Sequence, residues 1–265
     1  MKFTDQFAAK TPRTRRFARR NSSDEFLGES WRLGGELLLL LVIAVPGCGK
    51  SSDAVAPAHS SATGSGVISG QVFFDGAAPA PKVVSPPSCW VTVVDDTVVV
   101  NPNGTLKNVL VYLKDAPPGD GGGPPVILDQ LDARYIPKVI GLQVGQPLIV
   151  RNSDPQVHNV HIHSTINPEQ NFAMINEGDH DPIVFNAPEF FKISCDVHPW
   201  MDAEVGVFDH PYFAVTGDNG SFVIQNVPPG HYTLVARHEL YGEISRPIDV
   251  ADNATAQITF RYKQP

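Results

Sequence analysis

Phe191-Lys192-Ile193-Ser194-Cys195-Asp196-Val197-His198-Pro199-Trp200-Met201 decides the fold, because a strand pattern runs straight into a set of metal-binding side chains. The apolar run at its start reads as a strand. The loop that leaves the strand carries a thiol, an imidazole and a thioether at i, i+3 and i+6. Soft thiolate and thioether with imidazole select copper or a similar soft metal, whereas calcium or magnesium would need carboxylate and carbonyl oxygens. Three ligands leave such a site one short. The second imidazole is best supplied by His158, in Asn152-Ser153-Asp154-Pro155-Gln156-Val157-His158-Asn159-Val160, where one strand ends in turn residues and another begins. Taken singly these residues have plainer uses: a lone Cys in a strand is usually a small buried hydrophobe, and a lone His or Met fills surface or core. A Cys89 to Cys195 disulfide is the other alternative if the protein is exported.

Two imidazoles and a thiolate in one plane, with a weak axial thioether, make the blue-copper arrangement. The Cys-x-x-His-x-x-Met loop resembles the ligand loop of the cupredoxins, in particular the short loop of the amicyanins, and His158-Asn159-Val160 is similar to their upstream His-Asn-Val motif. The resemblance covers roughly residues 126–209 and includes Gly-Leu-Gln-Val-Gly-Gln-Pro-Leu at 141–148. It implies that His158, Cys195, His198 and Met201 hold one type 1 copper and that Asn159 helps tie the two ligand segments together. By the same resemblance, Pro199 and Trp200 stiffen and cover the loop, and the edge of His198 reaches an apolar surface patch through which an electron leaves. The surrounding sequence is also similar to exported bacterial proteins, frequent in planctomycetes, that join a cupredoxin-like region to a carboxypeptidase-regulatory-like sandwich. Those relatives usually carry a Cys near position 132 and a His near 138. Here Asp132, Ala133 and Lys138 stand in those places, which leaves Cys89 without the disulfide partner the resemblance implies.

The whole chain has a formal charge of -8 over 265 residues, but its first 47 residues are basic. From Cys48 onward 12 basic side chains face 23 acidic ones, a net of -11. So acidic a body argues against nucleic acid or an anionic membrane surface as partner and suits a redox protein with a basic face. The 3 cysteines are too few for a disulfide framework. Arg13, Arg15, Arg16, Arg19 and Arg20 precede a short apolar stretch at 37–45, and Val45-Pro46-Gly47-Cys48 looks like a lipoprotein-processing box. The expectation is a signal segment over 1–47, lipidation of Cys48, and a Ser/Ala/Pro/Gly tether over 48–65 holding an exported protein in the periplasm or cell envelope. An uncleaved anchor, or a true start further downstream, are the plainer readings of the same leader.

The folded body reads as all-β: a cupredoxin-like Greek-key β-sandwich plus a second small β-sandwich. Expected divisions are an N-terminal β region at 66–124, a copper domain at 125–210 and a sandwich at 211–265 resembling the carboxypeptidase-regulatory, transthyretin-like kind. Strands are expected at 91–100 and 106–113. Only fifty residues remain for the last sandwich. Its missing Gly-x-Val-x-Gly-like strands are found instead at 66–76, so 66–116 and 212–262 would build one sandwich with the copper region inserted; a plain N-terminal extension and a separate C-terminal module are the alternative. His161 and His163 alternate with Val160 and Ile162 and share one face. With His180 or Asp181 they form a candidate second metal site; a wet strand edge is the other reading. His210 and His238 read as polar surface residues. No nucleophile triad, carboxylate pair or phosphate loop rises above background, so the expected role is non-enzymatic. It is a type 1 copper protein carrying single electrons between envelope partners; the alternatives are copper delivery, or a binding module whose metal site is structural or lost.

Overall fold

The computed structural model describes residues 64–84 and 91–264. The leader, Cys48, nearly all of the tether, and Cys89 lie outside the described residues. The regular elements are strands. In chain order they are β1 Gly66–Asp75, β2 Val83–Val84, β3 Val93–Val94, β4 Leu110–Leu113, β5 Val126–Leu131, β6 Arg134–Ile136, β7 Val139–Gln143 and β8 Pro147–Asn152. Then come β9 His158–Ile162, β10 Gln170–Met174, β11 Gly178–Asp179, β12 Ile183–Val184, β13 Glu189–Ser194 and β14 Asp202–Phe208. β15 Phe213–Val215, β16 Ser221–Val227, β17 Gly230–His238, β18 Gly242–Val250 and β19 Thr255–Lys263 complete the chain. The expectation of an all-β protein with a cupredoxin-like sandwich and a second small sandwich holds.

The first sandwich faces a sheet in the order β10-β9-β13-β14-β7 with one in the order β11-β8-β5-β6, where β12 also pairs with β8. Its core follows from period-two alternation: Glu189, Phe191 and Ile193 of β13 turn inward, as do Val160 and Ile162 of β9 and Ala203, Val205 and Val207 of β14. Leu128, Leu142, Leu148, Ile162 and Ile193 are wholly buried. Each such side chain is worth about 1.5–3 kcal/mol against exposure.

The second sandwich is assembled from both ends of the described chain. β1 runs antiparallel to β16 and parallel to β19, and this sheet faces another in the order β15-β4-β17-β18. Ile68, Val72 and Phe74 of β1 share one core with Phe222, Ile224, Leu234 and Phe260. Residues 126–208 therefore enter the chain as an insertion between strands of one sandwich.

A third apolar cluster, with Leu110, Tyr112, Val139, Phe208 and Val235, joins the two. Close approach here depends on two glycines in register, Gly141 of β7 and Gly206 of β14. A Cβ at Gly141 would stand 2.4 Å from the Phe213 ring, and one at Gly206 would stand 2.6 Å from a Leu110 methyl.

Two expected strands come out shorter. Of 91–100 only Val93–Val94 pairs as a strand, because the Asp95 carboxylate accepts from the Thr97 amide at 2.9 Å and turns the chain. The 106–113 segment becomes a strand only from Leu110, since Asn108 takes a φ of 62° and donates its amide to the Asp96 carbonyl at 2.9 Å. Local β-propensity loses in both places to Asp and Asn side chains that bond the backbone.

Candidate metal centre

Strand order and alternation together bring the ligand candidates to one place. β9, β13 and β14 are neighbours, with β13 antiparallel to both. The start of β9, the end of β13 and the start of β14 therefore lie at the same end of the sheet. His158 opens the inward set of β9, while Cys195 and Met201 extend the inward parity of β13 and β14 by one step. His158 is 0 %, Cys195 2 %, His198 6 % and Met201 1 % exposed. The hairpin between β13 and β14 is closed by the Cys195 amide donating to the Met201 carbonyl at 3.0 Å and the Met201 amide to the His198 carbonyl at 2.9 Å. That tight turn aims His198 back over the sheet end.

His158, Cys195 and His198 form a buried group whose ligand atoms all lie within 4.8 Å of one another, and such a group can hold a metal ion. The two Nδ1 atoms of His158 and His198 are 3.0 Å apart, and Cys195 Sγ is 3.7 Å from His198 Nδ1. Cys195 is a free thiol, so the disulfide alternative is not formed. Burial, then His158 beside it, holds the His198 imidazole below its usual pKa and thus neutral. Two imidazole nitrogens and a sulfur converging in a dry pocket are a donor set that suits a soft cation. The donor set fits copper. Met201 lies in the same apolar cluster as Cys195.

Several neighbours fix these donors. His158 Nε2 stands 2.8 Å from Asp154 Oδ2, so its N–H donates to the carboxylate and Nδ1 is left with the lone pair. Asp154 is itself held by the amides of Asp132 and Ala133, each at 2.9 Å. The Asn159 amide donates to Cys195 Sγ at 3.3 Å, and Asn159 Oδ1 accepts from the Asp196 amide at 3.0 Å. Both contacts run between the two ligand segments. The Trp200 indole lies 5.2 Å from the His198 ring and donates to the Ala133 carbonyl at 3.1 Å. From the opposite sheet Tyr135 donates its hydroxyl to the Asn159 carbonyl at 2.7 Å. Burial, then the Cys195 sulfur nearby, pushes that hydroxyl well above the phenol range, so it stays a donor.

Asp154 and Tyr135 escape a sequence reading that looks only for ligands. The readable signal for Asp154 is an acid four residues ahead of His158 in a turn. Replacing Asp154 by alanine should free the imidazole to rotate and lower copper affinity about 10- to 100-fold. A competition titration with a coloured chelator measures it; unchanged affinity would remove Asp154 from this role.

The other histidines need correction. His161 does not group with His163 and His180 or Asp181 as a second metal site. Its two nitrogens meet Asp196 at 3.1 Å and Glu169 at 3.0 Å, and His180 stacks on Phe172 at 4.0 Å. His210 and His238 are not surface residues but 3 % and 1 % exposed. Each uses Nδ1 to accept a backbone amide, from Tyr212 and Leu240 respectively, both at 3.1 Å.

Residues 198–263 match the carboxypeptidase regulatory-like domain family. The match begins in the ligand turn and runs through β19, while β1 and β4, which complete that sandwich, lie outside it. No curated protein matches the chain. Among solved structures, the chain is similar to a Cu-containing nitrite reductase from Thermus scotoductus SA-01 at 21 % identity, over 32 % of this chain and 22 % of that one, with a TM-score of 0.28. It thus spans under a quarter of that enzyme's length. A Cu(I) mutant of amicyanin matches at 20 % identity over 37 % of this chain and 97 % of its own, with a TM-score of 0.28. A reduced amicyanin mutant at pH 4 matches at 19 % identity over the same shares, with a TM-score of 0.29.

Proposed function

We propose that this is a copper-binding protein whose His158, Cys195 and His198 hold the metal, with Met201 as a weaker fourth ligand. One observation carries the reading: two imidazole nitrogens and a thiol, all buried, converge within 4.8 Å of one another. Copper, when bound, supplies one-electron exchange between Cu(II) and Cu(I).

The finer reading is a single-electron carrier that turns over no substrate. It is supported by ligands placed at one end of three paired strands and in the tight turn between two of them, and fixed by Asp154, Asn159 and Trp200, which lets them keep their positions in both oxidation states. Val157 at 41 % and Val197 at 52 % exposure flank the ligand segments, and apolar side chains of this kind suit a small, weak docking surface. The acidic body suits a basic redox partner, and the leader suits an exported, lipid-anchored protein. Copper delivery is the second reading, favoured by the same soft donor set, which also binds Cu(I).

The test is titration of the purified protein with Cu(II) and Cu(I), visible spectroscopy and cyclic voltammetry. One equivalent of copper, an intense visible band and a reversible wave support the electron carrier. Tight Cu(I) binding without band or wave moves the function to copper handling, and no binding of either ion ends the copper reading.

A further inference from the structure

A ring of charge, buried at Lys138 and partly exposed at its other members, joins the second sandwich to the metal-binding turn. Lys138, just ahead of β7, has a side chain only 4 % exposed. Its ammonium contacts Asp202 Oδ1 and lies 3.1 Å from Glu239 Oε2. Lys192 of β13 reaches the other oxygen of each acid, Asp202 Oδ2 at 2.7 Å and Glu239 Oε1 at 2.7 Å. The four groups therefore close a circuit in which charges alternate, with Glu204 at 3.6 Å from Lys192 outside it. Three members belong to the first sandwich. Glu239 does not: it sits in the turn between β17 and β18.

We propose that Glu239 is a positioning residue for the metal centre, acting through Lys138, Lys192 and Asp202 on Met201; this rests on the copper-site reading above. Asp202 follows Met201 directly, so its Cα lies about 3.8 Å from that of Met201. With both carboxylate oxygens clamped, Asp202 fixes the point at which the ligand turn re-enters the sheet. The Met201 carbonyl at that point accepts from the Cys195 amide, so the clamp bears on two ligand positions together. Glu239 is held in turn by His238, whose buried Nδ1 accepts from the amides of Leu240 at 3.1 Å and Tyr241 at 3.4 Å. Burial drives His238 down to about 4, which keeps that acceptor free of a proton at neutral pH.

Burial works to neutralise Lys138, but Asp202 and Glu239 outweigh it, and its ammonium keeps its charge. Buried ionic rings are a poor source of stability compared with well-packed apolar side chains, yet breaking one leaves an uncompensated charge that must move. Loss of Glu239 leaves two lysines competing for Asp202, and the adjustment falls on the ligand turn.

Glu239→Gln keeps the shape and removes the charge, Glu239→Asp keeps the charge on a shorter stem, and Arg261→Gln breaks the remote Arg261–Asp75 pair as a control. Copper-loaded Glu239→Gln should hold one equivalent of metal with an altered visible spectrum and a shifted potential. In the metal-free protein its Cys195 and Met201 amides should exchange with solvent about tenfold faster. Arg261→Gln should match the parent in all three measurements, and Glu239→Asp should fall between. A Glu239→Gln protein that melts earlier but keeps the parental spectrum, potential and amide protection would overturn the proposal. If Glu239→Gln does not fold, the same readouts on Glu239→Asp decide it. Failure of the parent to bind copper would sink the copper reading, while amide exchange would still decide whether Glu239 holds the turn.

Discussion

Cys195→Ser should abolish the intense visible absorption of the copper-loaded protein and lower its affinity for Cu(I) by orders of magnitude. The thiol is the single sulfur among the three converging groups and stands 3.7 Å from His198 Nδ1. A thiolate is the soft, strongly donating ligand in such a set and the source of charge transfer to copper. A serine hydroxyl is harder, reaches less far and stays protonated at neutral pH. The exchange is close to isosteric, so the fold should persist. Burying a hydroxyl where sulfur lay costs about 1–3 kcal/mol, with the Asn159 amide still available as a partner. Visible spectroscopy and metal analysis of parent and variant decide the matter. An intense band that survives in Cys195→Ser would remove Cys195 from the site.

Glu189→Ala should cost about 3–5 kcal/mol of folding stability, since several buried donors lose their charged acceptor at about 1–3 kcal/mol each. Glu189 occupies the far end of β13 from Cys195, on the same inward face. Its carboxylate accepts from the Ser164 hydroxyl at 2.5 Å, the Thr165 amide at 2.6 Å and hydroxyl at 2.9 Å, and the Ile166 and Asn167 amides, both at 3.0 Å. The Asn167 side chain adds a contact at 3.1 Å and passes the order on to Asn186 and Ala187 through its own oxygen. Alanine leaves these donors unpaired. Burial works to raise the Glu189 pKa, but Ser164 and the backbone amides overcome it and hold the carboxyl far below the usual range. A folded-state pKa depressed in this way adds stability that is complete above the unfolded value, about 4.3, and is lost as pH falls below it. The parent's melting temperature should therefore decline from about pH 5 downward and keep declining below about pH 3, and Glu189→Gln should melt lower at neutral pH with a shallower acid slope. Parallel acid slopes in parent and variant would contradict this account.

The candidate metal centre is the most legible part of the chain because its signals are local. Cys195, His198 and Met201 sit within seven residues, and alternation along 189–195 already turns Cys195 inward. The second sandwich is legible from the strand pattern at 66–76 and the strand and turn patterns at 212–262. Lys138, Asp154, Glu189, His210 and His238 were not read as they fold, for a common physical reason. Charged and polar side chains normally lie in water; Lys138, Asp154 and Glu189 are buried because partners distant in sequence compensate them, and His210 and His238 because each accepts a backbone amide two residues on. Glu189 finds its donors more than twenty residues upstream, and Lys138 finds one of its two acids a hundred residues downstream. Residues 91–100 failed in the opposite sense: β-branched composition promised a strand, and one aspartate turned the chain within it.

The pairing of β1 with β19 has a kinetic consequence. Gly70 and Ile258 lie opposite each other though 188 positions apart, and the parallel pair spans Val67 to Asp75. Contacts of such sequence separation pay their loop-closure entropy before they return any stabilisation, and chains dominated by them fold slowly. The inserted sandwich, whose strands all fall within residues 126–208, can close first and shorten the effective loop between the two ends. The second sandwich would then be completed last, with β1 waiting on the final strand to emerge, so that a chain cut before β19 leaves its own first strand unpaired along one edge.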